Sequence, residues 1–133
     1  MRYEEYEYLV GRSRRFYETA LMLLDRGFYD LAAFNLEQYS LQLYLKAVLL
    51  MLGVDYPRSH SVRALLELVY KLTQSSNVGD ILSRLSVELS LLEDAYITAR
   101  YVPKEFRREE VERLKRAVDE VLEVVGRVAR GGG

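Results

Sequence analysis

Cysteine is absent from this 133-residue chain, which excludes disulfides and thiolate metal sites and points to an intracellular setting. Tryptophan is also absent, histidine occurs once, at His60, and proline twice, at Pro57 and Pro103. A long apolar run is missing too. The longest, Ala47 to Leu52, falls far short of the roughly 18 residues that span a bilayer. The opening residues Met1-Arg2-Tyr3-Glu4-Glu5 are charged and form no apolar leader, so a cytoplasmic protein without membrane contact is expected. Nor is there an excess of either charge. With 19 basic and 20 acidic residues the net charge is −1, which gives no global field to attract nucleic acid. The densest basic cluster, Arg12, Arg14 and Arg15, reads as a solvated helix face. Arginine makes up 15 of the 19 basic residues, a weak pointer to a thermophile.

What is present is apolar residues and helical periodicity. Half the chain is apolar, enough for one core and one domain, expected over residues 1–130, with Gly131-Gly132-Gly133 as a disordered tail. Both prolines fall where a helical pattern stops, and no stretch alternates like a strand, so five helices are expected. The first runs from about Arg2 to Arg26, with Tyr6, Leu9, Ser13, Phe16, Ala20 and Leu23 on one face and Gly27 as its left-handed stop. The second runs from about Tyr29 to Leu52 and ends at Gly53. The third starts at Ser59 or Ser61 and ends in Gln74-Ser75-Ser76-Asn77. Asn77 is the expected cap of the fourth, whose stripe is Leu82, Leu85, Leu89, Leu92, Tyr96 and Ala99. The fifth follows Pro103 with a narrow seam of Val111, Leu114, Val118, Val121, Val125 and Val128. Short connections favour an up-and-down antiparallel helical bundle of about five helices.

The second helix carries most of the information. Almost every position between Leu31 and Leu52 is apolar, so the helix must be buried on most sides. A second copy of the chain is the simple way to cover what one small bundle leaves bare, hence an expected homodimer with two-fold symmetry. Against that background Asn35, Gln38, Gln42 and Lys46 stand out. At about 100° per residue they share one face, within a stripe of roughly 80°. Two readings follow: a structural one, in which the stripe is the solvent side or a polar seam that fixes packing, and a functional one, a groove that meets a phosphate or a partner protein. A purely structural seam would tolerate Gln42→Leu, or gain from it.

Several segments, taken in order, resemble the HEPN family (higher eukaryotes and prokaryotes nucleotide-binding). These are Gly27-Phe28-Tyr29-Asp30-Leu31-Ala32 at the first turn, then Glu37-Gln38 with Gln42-Leu43-Tyr44-Leu45-Lys46-Ala47 on the second helix. Pro57-Arg58-Ser59-His60, Leu65-Leu66 and Ala99-Arg100-Tyr101-Val102-Pro103 complete the match. The resemblance implies a small helical bundle. Active ribonucleases of that family carry an Arg followed, after four to six residues, by a His. Here those positions before His60 are Gly53, Val54 and Asp55, so the motif is absent. Arg58 and Arg63 stand at the wrong spacing to replace it. His60 has a plain alternative role at a helix start, and Arg100 one at a helix C-terminal end.

Non-ribonuclease relatives are companions of minimal nucleotidyltransferases in toxin–antitoxin-like modules. The resemblance therefore implies a homodimeric interaction subunit with such a partner. The alternative is a nucleotide- or RNA-binding protein, or a divergent ribonuclease. Asn35, Gln38, Gln42, Lys46, His60 and Arg100 are the candidates for ligand or partner contact. No cofactor or metal is expected. Glu93 and Asp94 are adjacent and so project in different directions from a helix, and Gly53 and Gly79 are isolated rather than part of a phosphate loop.

Overall fold

Gly27 and Gly53 lie in the left-handed region, at φ of +79° and +90°, and both close a helix as their positions predict. At the first, the N–H of Phe28 donates to Leu23 O (2.9 Å) and that of Gly27 to Leu24 O (3.1 Å). At the second, Val54 N–H donates to Leu49 O (3.0 Å) and Gly53 N–H to Leu50 O (3.1 Å). This paired closure satisfies the last carbonyls of each helix and turns the chain back on itself.

The computed structural model describes the backbone of residues 2–55, 59, 61–101 and 105–131. The side chains of residues 2, 38, 39 and 96–101 fall outside the description. Every regular element among the described residues is helical: α1 (Arg2–Asp25), α2 (Tyr29–Phe34), a π-helical stretch (Asn35–Leu41), α3 (Gln42–Met51), α4 (Val62–Thr73), α5 (Ser76–Arg84), α6 (Ser86–Tyr101) and α7 (Arg108–Ala129). The expected second helix is thus α2, the π stretch and α3 in succession. The expected fourth is divided at Leu85, whose φ and ψ of −99° and 20° leave the helical region. Asn77, the expected cap, lies inside the first turn of α5. Ser75 takes the role, because its backbone is extended and its hydroxyl accepts from Val78 N–H (3.3 Å). Ser61 caps α4, accepting from Ala64 N–H (3.1 Å).

Cross-contacts fix the directions. Tyr6 lies near Tyr44 and Ser13 bonds Ser40, so α1 is antiparallel to the second rod. Arg84 and Arg113 reach Glu120 and Glu88, so α7 runs antiparallel to the α5–α6 rod, and Tyr17 of α1 meets Asp119 of α7. The result is an all-α helical bundle. At the start of α7, Glu110 Oε1 accepts from Arg107 N–H (2.8 Å), and Glu109 and Glu110 suit the positive end of the helix dipole.

The second rod is the axis of the core. Leu36, Leu41, Leu45, Val48 and Leu49 are fully buried, as are Val111, Leu114, Val118, Val121 and Val125 of α7. The covering that the sequence reading assigned to a second copy is therefore supplied by the chain's own helices. Among the described side chains of the second rod, Leu31 and Met51, at its ends, are the exposed large apolar ones. No helix among the described residues is long and apolar enough to cross a membrane.

Candidate functional site

The polar residues of the second rod do not form one open face. In a π-helix the backbone bonds run i→i+5 instead of i→i+4, which shifts the angular phase of everything downstream. The stripe laid out at 100° per residue crosses this change. Gln42 is 2% exposed and donates from Nε2 to Glu37 Oε1 (2.6 Å); Glu37 is wholly buried. The two side chains are five residues apart, matching the π period. Asn35 turns back on its own helix, donating to Leu31 O (2.9 Å). Lys46 is half-buried on α3. The side chains of Gln38 and Arg100, and the whole of His60, lie outside the described residues.

Around His60, what is described is a tether. Ser59 Oγ accepts from Ser61 N–H (3.1 Å), and Ser61 Oγ donates to Glu93 Oε1 (2.6 Å), which also accepts from Arg63 N–H (2.9 Å). The Arg63 guanidinium is engaged on α6 as well, donating to Ser86 O and Ser90 Oγ, each at 2.7 Å. Glu93 therefore fastens the start of α4 to α6. No group of three or more metal-ligating side chains occurs among the described residues.

A second constellation was not singled out from the sequence. A cleft of about 300 Å³ opens between α1, the π stretch with α3, and α7. Ser13 and Ser40 lie deepest in it, Ser13 Oγ donating to Ser40 O (2.5 Å). Ser40 Oγ is buried with no hydrogen-bond partner among the described residues. Tyr17 donates its hydroxyl to Asp119 Oδ1 (2.5 Å), and Lys115 Nζ pairs with Asp119 Oδ2 (2.9 Å). Burial first, then the bond to Asp119, pushes the Tyr17 hydroxyl above its ordinary value, while Asp119 holds the Lys115 ammonium up. Tyr44 is also raised, by burial, with Arg130 and Arg14 pulling the other way. Two residues gave a faint sequence signal: Ser13, a hydroxyl on the apolar stripe of α1, and Gly126, a glycine inside a valine-rich helix.

Fold and site together define a small helical-bundle domain with a polar pair buried at a π turn. The chain belongs to the HEPN domain family, whose family model matches residues 6–128. The family ties it to nucleotide- and RNA-related function. No curated protein and no solved structure gives a significant match.

Proposed function

We propose that the protein is a non-catalytic HEPN-domain subunit that works by binding, as a homodimer paired with a minimal nucleotidyltransferase in a toxin–antitoxin-like module. One observation carries the non-catalytic part. Where the family's ribonucleases place an arginine ahead of the histidine, this chain has Gly53-Val54-Asp55, and Gly53 is the left-handed stop of α3. The segment is built as a helix ending, without the fixed cation that would stabilise a scissile phosphate. The engagement of Arg63 with Ser86 and Ser90 supports the same reading, since the next described cation is held by α6. For the binding role, the support is Met22, Phe28 and Leu31, three exposed large apolar side chains around the α1–α2 turn, a pattern suited to protein contact.

The test is co-expression with a nucleotidyltransferase encoded beside it, followed by light scattering and an RNA cleavage assay. The reading expects a species of twice 15.5 kDa for the isolated protein and co-purification of the enzyme. A monomer that captures no nucleotidyltransferase would overturn it, and so would metal-independent RNA cleavage lost in His60→Ala. The nucleotide-binding alternative rests on Lys46, whose long stem can carry its charge out to an anion. Stoichiometric nucleotide binding that is lost in Lys46→Ala would favour that alternative.

A further inference from the structure

We propose that the cleft between α1, α3 and α7 is a binding site for a small organic anion, an apolar ring or short acyl body bearing one carboxylate or phosphate. Its walls are the side chains of Val10 and Leu122 and the bodies of Tyr17 and Tyr44, and its volume is at the lower end for small-molecule sites. The charge comes from the mouth. Arg14 lines it, and Arg130 Nη1 lies 3.3 Å from where a Cβ on Gly126 would stand, beside the Tyr44 hydroxyl. The ionisable groups that act on Tyr44 are Tyr6, Arg130 and Arg14, with no carboxylate among them. Neither Arg14 nor Arg130 makes a salt bridge with a described residue.

Tyr44 completes the arrangement. Like any phenol of ordinary value near 10, its hydroxyl is protonated at neutral pH and can donate, and no described residue accepts from it. A half-buried O–H donor flanked by two guanidiniums is a recognition set for an oxyanion, which favours charge-assisted bonds. No acidic residue lines the cleft among the described residues, and Asp119, which bonds the lining Tyr17, is already paired with Lys115. At the closed end, the buried Ser40 Oγ has no partner among the described residues, an unanswered polar group of the kind that binding sites retain.

The test is calorimetric titration of the full chain with phenylacetate, phenyl phosphate and, as the cationic control, benzylamine. The two anions separate the carboxylate from the phosphate source, and saturable binding of either supports the site. Arg14→Gln and Tyr44→Phe should each weaken that binding by about tenfold without lowering the melting temperature. Leu122→Phe, which fills the cleft from α7, should abolish binding in a protein that still melts cooperatively. Anions binding no better than benzylamine would overturn the proposal. So would anion binding unchanged in both Arg14→Gln and Tyr44→Phe.

Discussion

The hydroxyl of Tyr44 lies 2.9 Å from the place a Cβ on Gly126 would occupy, so the glycine in the last turns of α7 makes room for a side chain of α3. A helix-interior glycine ordinarily costs about 1 kcal/mol relative to alanine, and here the close approach explains its presence. Gly126→Ala should therefore fail to give that gain in full, because the Tyr44 hydroxyl and the Arg130 guanidinium must give way to the new methyl. In Tyr44→Phe, which lacks the hydroxyl, the same change should recover more of the gain. Urea melts of the four proteins give the coupling; two independent, additive effects would contradict the packing argument.

Glu37 and Gln42 set the second expectation, and it reverses one drawn from sequence. A structural seam predicted that Gln42→Leu would be tolerated, because a buried amide gains little net energy. Gln42 instead donates to a carboxyl that is wholly buried. Removing the donor leaves part of the desolvation of Glu37 uncompensated, so Gln42→Leu should cost about 1.5–3 kcal/mol. Replacing both residues by leucine should cost less than the sum of the single changes. An unaltered melting temperature for Gln42→Leu alone would show that the bond contributes nothing.

These two pairs mark the boundary of what the sequence could tell. Gly27 and Gly53 were legible because a left-handed helix stop is a local event, readable from one residue and the pattern before it. The apolar seams of the second rod and α7 were legible for the same reason: burial follows periodicity. The π stretch was not. It adds a residue to a turn without altering composition, and it moved Gln42 from an apparent surface stripe into the core. The break at Leu85 was equally hidden, since Leu85, Leu89 and Leu92 stay buried on both sides of it. Nor could the expectation of a second copy covering the second helix be weighed without knowing that α1, α4, α6 and α7 all pack on that rod. The cleft was missed because Ser13, Ser40, Tyr44 and Arg130 come from α1, the π stretch, α3 and the end of α7 and share no spacing.

Glu93 holds two donors at once, the Ser61 hydroxyl and the Arg63 N–H, across 32 and 30 residues. Ser61 is also the cap of α4, so the carboxylate orients the capping hydroxyl as well as tethering the helix. Glu93→Ala should destabilise by about 1–3 kcal/mol, with Glu93→Gln milder because it keeps an acceptor oxygen. Amide exchange should report the loss locally, with faster exchange in the first turn of α4 and little change in α7. Uniform acceleration over the whole chain would mean that the contact is not a local fastening.

The cluster of Tyr17, Lys115 and Asp119 predicts how stability responds to alkali. Burial and the bond to Asp119 raise the Tyr17 hydroxyl above its ordinary 10.0, and Asp119 with Tyr17 raises the Lys115 ammonium above its ordinary 10.5. In the unfolded chain both groups lose their protons near those ordinary values, whereas in the folded chain they keep them to higher pH. The folded state thus binds more protons in that window, and stability must fall as pH rises. The contribution is present in full below about pH 10 and is lost as pH climbs through the folded values. Urea midpoints should therefore drop between about pH 9 and about pH 11. Tyr17→Phe should flatten the decline, because the bond to Asp119 disappears together with one of the titrating groups. Part of the slope should survive in the variant, since the Tyr44 hydroxyl is also held up by burial. A decline equally steep in Tyr17→Phe and in the parent would remove the cluster as its cause.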